Sequence, residues 1–229
     1  MLQKFASFAG IQGPVVTIIM DGYGLPKTDV GGAIAAAKKP NLDRLFANYP
    51  NVTLRAHGTA VGMPSDEDMG NSEVGHNAIG AGQVYSQGAA LVADAIATGA
   101  IWQGEAWQQV VAGAKAGIDG KAGALHFIGL FSDGNVHSHI DHLKAMVQRA
   151  KEEGVKTVRL HILLDGRDVP ETSALEYVEP FEAFLAEVNA GGFDAQIASG
   201  GGRMTITMDR YEANWSMVEK GWNTHVLGQ

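Results

Sequence analysis

The sequence contains no cysteine, which excludes disulfides, thiolate metal sites and cysteine nucleophiles. It also lacks long apolar runs, since no stretch approaches the roughly 18 consecutive apolar residues of a membrane-spanning helix. The segment from Met1 to Gly13 does not have the layout of a signal peptide. We therefore expect a cytoplasmic protein that does not bind or cross a membrane.

Basic residues are few, with 17 Lys and Arg against 25 Asp and Glu, and the formal net charge is −8. Nucleic acids and anionic membranes attract clustered Lys and Arg, so we expect neither as a partner. A small anionic substrate stays compatible with this balance, because a few arginines in one pocket can hold a phosphate. The 229 residues, 45% of them hydrophobic, suffice for one large domain or two small ones.

Apolar runs and helical stretches alternate along the chain. The β-branched run at residues 15–20, between Pro14 and Gly22, predicts a buried strand. From Leu125 onward the order strand, helix, strand, helix, strand, helix predicts parallel strands covered by helices. The fold class is thus α/β, with parallel-rich sheets and helices on their faces. The remaining predicted strands are 125–131, 158–164 and 196–198, and the predicted helices are 40–47, 86–97, 105–116, 140–153, 172–190 and 210–220.

The densest polar segment, residues 65–76, contains Ser72 immediately before helix-compatible residues. At a helix N-terminus the serine oxygen lies near unpaired backbone N–H groups and the positive end of the helix dipole, which stabilise a phosphate. The alternative is that Ser72 is an ordinary N-cap, and local evidence alone favours that alternative. A serine also needs a base or a metal to become a nucleophile.

Asp-Gly pairs follow three apolar runs, and the aspartates are Asp21, Asp133 and Asp165. Each pair alone is compatible with a simple turn. Three of them at predicted strand ends indicate a pocket, because ligands bind at the carboxyl ends of parallel strands. A carboxylate such as that of Asp21 can bind a divalent cation, although it too could only form a turn.

Further polar residues follow the same strands. His137 could donate to a phosphate or to a leaving oxygen, and Arg167 could grip a phosphate or carboxylate. Asp168 could exchange a proton with a hydroxyl, unless it only pairs with Arg167 on the surface. Arg203, after a triple glycine, and Arg210 could face the same end of the sheet, although the glycines could equally form a flexible loop.

Five motifs occur in an order that resembles the cofactor-independent phosphoglycerate mutases of the alkaline phosphatase superfamily. Each alone is weak, but together they span essentially the whole chain. They are Met20-Asp21-Gly22-Tyr23-Gly24, the segment from Gly70 to His76, the segment from Ser132 to His139, Asp165-Gly166-Arg167-Asp168, and Gly202-Arg203 with Asp209-Arg210.

The resemblance implies interconversion of 3-phosphoglycerate and 2-phosphoglycerate, in glycolysis and gluconeogenesis, without 2,3-bisphosphoglycerate. It implies that Ser72 accepts the phosphoryl group and that Asp168 exchanges a proton with the substrate hydroxyl. Asp21 and Ser72 would ligate a divalent metal, typically Mn2+, with Mg2+ or Co2+ in some members. The implied substrate-binding residues are His137, Arg167, Asp168, Arg203 and Arg210.

The resemblance also implies a phosphatase-like, metal-binding domain into which a transferase domain is inserted. We assign residues 1–86 to the first segment of the former and residues 87–229 to an incomplete transferase domain. Family members are much longer than this chain, so we expect an N-terminal portion whose partner is the C-terminal portion of the same protein, monomeric when complete. Two alternatives stay open: a phosphatase or phosphonate hydrolase of the same superfamily, and a fragment that binds phosphoglycerate without turnover.

Overall fold

The computed structural model describes residues 6–25, 28, 30–209 and 211–229. It divides into two compact units, Met1–Leu54 and Arg55–Gln229. The predicted boundary between residues 86 and 87 concerns the domains of the complete protein and stays a prediction. Among the described residues, no helix is long and apolar enough to cross a membrane.

The first unit contains two helices, α1 at Ala33–Ala36 and α2 at Pro40–Asn48. Helix α2 confirms the helix predicted at 40–47, and Pro40 occupies its first turn, where no backbone N–H is required. Lys39 and Asp43 form an i,i+4 ion pair of 3.0 Å along this helix.

The strand predicted at residues 15–20 is wrong for this structure, because these residues form no regular element. Their apolar side chains are exposed, with Val16 at 77% and Ile18 at 79%. A strand requires a neighbour for its backbone N–H and C=O groups. The described part of the first unit contains no second strand, so a β-branched run has nothing to pair with.

The second unit is built on a parallel sheet of order β1-β2-β3. The strands are β1 at Ala124–Phe131, β2 at Thr157–Leu164 and β3 at Asp194–Gly202. Helices α6, Ile140–Glu152, and α7, Ala174–Val188, connect consecutive strands. The predicted α/β class with parallel strands is therefore confirmed, and β3 is longer than predicted because it includes the glycines after Ser199.

Alternate side chains of the strands join those of the surrounding helices in one core. Val147 of α6, Val158 of β2 and Phe181 of α7 are fully buried, and the ring of Phe181 meets that of Phe131 edge-on at 4.9 Å. Full burial of each such side chain contributes about 1.5–3 kcal/mol. This core fixes the edge of the sheet where the strands end.

Five more helical elements precede the sheet. The α-helices are α3 at Ser72–Ala81, α4 at Gly88–Ala97 and α5 at Glu105–Ala116, and the 3-10 helices are Gly58–Val61 and Ala100–Gln103. Their glycine-rich connections are tightly packed. A Cβ on Gly70 would lie 2.7 Å from the carbonyl oxygen of Ala56, so this position has room only for glycine.

The last α-helix, α8, spans Trp215–Trp222 and continues into a π-helix at Asn223–Leu227. It begins later than the predicted residue 210. Tyr211 and Glu212 have positive φ angles, which a right-handed helix excludes. The carboxylate of Asp209 instead accepts the backbone N–H groups of Ala213 and Asn214, at 2.9 and 3.1 Å.

Candidate active site

The carboxyl ends of the three strands lie side by side. In the parallel register Phe131 pairs with Leu164, and Leu164 pairs with Gly202. The residue that follows each of these three positions is polar, and all three are almost completely buried: Ser132, Asp165 and Arg203. The sheet register therefore brings together three side chains that are far apart in sequence.

Asp165 is the centre of this group. Its Oδ2 accepts the hydroxyl of Ser132 at 2.7 Å, and its Oδ1 accepts Nη1 of Arg203 at 3.0 Å. Oδ1 also accepts the backbone N–H groups of Arg167 and Asp168, at 3.2 and 3.1 Å, across the turn at Gly166. One buried carboxylate thus connects the ends of all three strands.

The electrostatics of Asp165 follow from these contacts. Burial by itself raises the pKa of this carboxyl group. The hydrogen bonds from Ser132, Asp168 and Arg167, together with the charge of Arg203, outweigh burial and hold the pKa below its ordinary value. Asp165 is therefore an ionised residue of the site at neutral pH.

Asp168 extends the group toward the surface. Its Oδ2 accepts the same Nη1 of Arg203 at 3.0 Å and lies 3.8 Å from Nε2 of His137. The side chain of His137 is 52% exposed, that of Asp168 is 15% exposed, and that of Arg203 is 5% exposed. A ligand can thus reach His137 and the carboxylate of Asp168, while Arg203 supports them from below.

We call Ser132, His137, Asp165, Asp168 and Arg203 the strand-end cluster. The sequence-predicted residues His137, Asp168 and Arg203 do come together in it. Arg167 lies at its edge, exposed, and its guanidinium makes no hydrogen bond or ion pair with the described residues. Arg210 lies outside the described residues.

Ser72 is the first residue of α3 and is exposed. The N-cap is its neighbour Asn71, whose Oδ1 accepts the backbone N–H of Val74 at 3.0 Å. The interpretation of Ser72 as the capping residue is therefore wrong. Its hydroxyl makes no hydrogen bond within the described part of the chain, so it is free at the positive end of a ten-residue helix.

A further contact ties the segment before Ser72 to the strand-end loops. Oδ1 of Asp68 accepts the side-chain amide of Asn135 at 2.6 Å, and Oδ2 accepts the backbone N–H of Ser65 at 2.7 Å. Asn135 has a φ of 52°, the left-handed region that asparagine tolerates better than most residues. Both ends of this contact lie in the second unit.

Asp21 lies in the first unit, exposed, at a turn whose next residue, Gly22, has a φ of 75°. Ser72 lies in the second unit. Across residues 6–25, 28, 30–209 and 211–229, no group of three or more His, Cys, Asp or Glu side chains is arranged to hold a metal ion. The residues described here therefore do not form a complete metal site, and the ligand roles of Asp21 and Ser72 stay predictions.

Several residues of the site were not anticipated from the sequence. The sequence indicates Asp165 only as one of three Asp-Gly pairs near a pocket, without a specific role, and Ser132 and Asn135 only as parts of a motif. Tyr177 of α7 donates its hydroxyl to Oδ1 of Asp133 at 2.8 Å. Burial and this carboxylate raise the pKa of Tyr177 to about 12. The available signal was position, since Asp165 directly follows β2 and Asp133 lies two residues after the end of β1.

Comparisons with known proteins show which family this chain resembles. The family model described as BPG-independent PGAM N-terminus matches residues 92–229. A probable 2,3-bisphosphoglycerate-independent phosphoglycerate mutase of Leptospira interrogans is 58% identical over 94% of this chain, and a 2,3-bisphosphoglycerate-independent phosphoglycerate mutase of Zea mays is 48% identical over 94%.

Among solved structures, a phosphoglycerate mutase of Leishmania mexicana, crystallised at low cobalt concentration, is similar with a TM-score of 0.80 and 48% identity over 92% of this chain. This chain covers 38% of that structure, and it covers 39% and 38% of the Leptospira and Zea relatives. It therefore spans about two fifths of the length of the relatives it matches. The chain belongs to the family of 2,3-bisphosphoglycerate-independent phosphoglycerate mutases.

Proposed function

We propose that the protein to which this chain belongs interconverts 3-phosphoglycerate and 2-phosphoglycerate, and that Ser72 is its phosphoryl acceptor. The observation that carries the proposal is the free hydroxyl of Ser72 at the N-terminus of α3, with Asn71 acting as the cap in its place. A phosphate on that oxygen is stabilised by the N–H groups and dipole of the helix. The relatives named above support the reaction.

The strand-end cluster is the proposed glycerate-binding site. Arg167 offers a guanidinium that has no partner among the described residues, and such a group suits a phosphate or carboxylate. His137 is half exposed beside Asp168, so an imidazole donor and a carboxylate acceptor face the same space. We assign to Asp168 the exchange of a proton with the substrate hydroxyl, and to Arg203 and Arg210 support of the bound anion.

A divalent metal belongs to the same proposal. Asp21 and Ser72 would supply two of its ligands, and since the described residues contain no group of three, the others would come from the rest of the protein. Such a metal lowers the pKa of a bound hydroxyl and neutralises a transferring phosphoryl group. We propose Mn2+, with Mg2+ or Co2+ as substitutes, no requirement for 2,3-bisphosphoglycerate, and a cytoplasmic, glycolytic and gluconeogenic role.

The decisive experiment replaces Ser72 in the complete protein. Ser72→Ala should lower mutase activity by about four orders of magnitude or more, as loss of a nucleophile does elsewhere. Ser65→Ala is the matched control, because Ser65 is an exposed serine of the same segment. The reaction is quenched while substrate is present, and the protein is then analysed by phosphopeptide mass spectrometry. Phosphate should be found on Ser72 in the wild type and in Ser65→Ala. Retention of substantial activity in Ser72→Ala rules out the phosphoserine.

The isolated 229-residue chain offers a second test. Calorimetry with 3-phosphoglycerate, with and without Mn2+, should show binding that does not depend on the metal, together with no turnover. This result would identify the strand-end cluster as a binding site that functions apart from the metal. Full mutase activity of a single species of 24.1 kDa would show instead that the chain contains all the required ligands.

A further inference from the structure

Asp165 is a charged residue that does not face the solvent and that the proposed function does not use. Its side chain is completely buried, and it accepts four hydrogen bonds from three strand ends. A buried carboxylate costs free energy unless it is paired. A neutral side chain could supply the hydrogen bonds that join the strand ends. The negative charge of Asp165 therefore needs an explanation of its own.

The cluster contains two carboxylates for one buried guanidinium. Nη1 of Arg203 donates to both Asp165 and Asp168, each at 3.0 Å. The titratable and charged groups that face Asp168 are therefore Asp165 from β2, Arg203 from β3, and His137 from the segment after β1. Arg167, which precedes Asp168, is exposed, and its guanidinium forms no ion pair with the described residues.

This arrangement sets how strongly Asp168 attracts a proton. If Arg203 faced Asp168 alone, its full positive charge would favour the ionised carboxylate and make Asp168 a weak proton acceptor. Asp165 neutralises that charge from the buried side. An acceptor works best when its proton affinity suits the operating pH, so this compensation assists a proton exchange at Asp168.

We propose that Asp165 is a positioning residue of the reaction: it holds Arg203 and the backbone of Asp168 in place and offsets the charge of Arg203, so that Asp168 keeps its capacity to accept the proton of the substrate hydroxyl. The inference rests on the proposed function for the identity of the substrate. The effect on Asp168 itself is a property of this chain and can be measured without turnover.

Asp165→Asn in the complete protein separates charge from shape. The amide keeps an acceptor for Arg203 and the two backbone N–H groups, and its NH2 can donate to Ser132. We expect kcat to fall by about 10- to 100-fold, which does not exceed the lower end of the range for a general acid–base group because Asp165 acts only through Asp168, while KM changes by less than about threefold. We also expect the acid limb of the kcat profile to move to lower pH, because Asp168 stays ionised further into acid.

Ser132→Ala is the matched control, because it removes one hydrogen bond from Asp165 and leaves its charge. The acid limb should then stay at the wild-type position, with a smaller loss of kcat than in Asp165→Asn. If kcat of Asp165→Asn falls by the same factor at every pH, and the acid limb of its pH profile does not move, then Asp165 has only a structural role. That result would overturn the proposal. An inactive wild type would instead refute the proposed function.

Carboxyl 13C NMR of the complete protein provides a test that does not require activity. In Asp165→Asn the titration of Asp168 should move to lower pH, and no movement would contradict the proposal even if the mutase reaction is established.

Discussion

The carboxylate of Asp68 accepts a hydrogen bond of 2.6 Å from the amide of Asn135, across 67 residues of sequence. Burial raises the pKa of Asp68, but hydrogen bonds from Asn135 and Ser65 outweigh it and lower the pKa below the ordinary value. Asp68 precedes Ser72 by four residues, and Asn135 precedes His137 by two. This contact therefore holds the segment of the proposed phosphoryl acceptor against the loop of the proposed glycerate site.

Replacing Asn135 tests that contact. Asn135→Gly keeps the left-handed backbone and removes only the amide, so we expect the free energy of unfolding to fall by about 1 kcal/mol, the value of one hydrogen bond. Asn135→Ala should cost about 1 kcal/mol more, because alanine is strained at a φ of 52°. Urea denaturation of the two variants measures the difference, and equal midpoints would show that the backbone at residue 135 relaxes.

The cap of α3 distinguishes two neighbouring residues. Asn71→Ala removes the hydrogen bond to Val74 and should lower the free energy of unfolding by about 1 kcal/mol. Ser72→Ala should change it by less than about 0.5 kcal/mol, as expected of an exposed side chain without partners. Thermal or urea unfolding checks both, and a larger loss in Ser72→Ala than in Asn71→Ala would reassign the cap.

Arg203 should be far more important for stability than a surface cation. Arg203→Met leaves Asp165 and Asp168 without their shared partner, and breaking a buried pair in this way costs about 3–5 kcal/mol. Lys144→Met, which breaks an exposed pair with Asp141, should cost less than about 1 kcal/mol. Similar denaturation midpoints for the two variants would show that the buried carboxylates take up protons instead.

The lowered pKa values of two histidines predict that the protein loses stability in mild acid. Burial first, and then the neighbouring His126 and His225, lower the pKa of His161; burial and His139 lower the pKa of His142, although Asp141 acts in the opposite direction. The folded pKa values lie below the unfolded value of about 6.5. At a pH between the folded and the unfolded pKa, the unfolded chain therefore binds more protons than the folded chain. The stabilising contribution is therefore fully present above about pH 6.5 and is lost as the pH falls from there through the lower folded pKa values.

Unfolding by urea at pH 7.5 and pH 5.5 measures this loss. His161→Gln should reduce the difference between the two pH values, because it removes one of the two titrating groups. His57→Gln is the control, since His57 is exposed and has no hydrogen bond to the described residues. Equal pH dependence in the wild type and in His161→Gln would contradict the assignment.

The predictable part of the fold was local. Helix α5 has the bounds that its sequence predicted, because an apolar stripe and flanking glycines define it without help from distant residues. The strand predicted at 15–20 failed for the opposite reason: a strand depends on a partner, and sequence pattern does not contain that partner. The start of α8 depended on positive φ angles at Tyr211 and Glu212, which these residue types do not signal.

The site divides in the same way. His137, Asp168 and Arg203 could be predicted because ordered motifs indicate which residues follow strands. That Asp165 connects them could not, since it depends on the register that aligns Phe131, Leu164 and Gly202. The alternative that Ser72 caps α3 could not be excluded from the sequence, because Asn71 and Ser72 are both good caps and only backbone geometry distinguishes them.

The spatial order β1-β2-β3 repeats the order of synthesis. Among the described strands, each is added to an edge that already exists, so none of these three has to wait for a later one to fill a gap. A ribosome extends a chain at about 5–20 residues per second, whereas secondary structure forms in microseconds. The pair β1–β2 therefore has seconds in which to close over α6 before β3 emerges, and the strand-end cluster is completed last, when Arg203 leaves the ribosome.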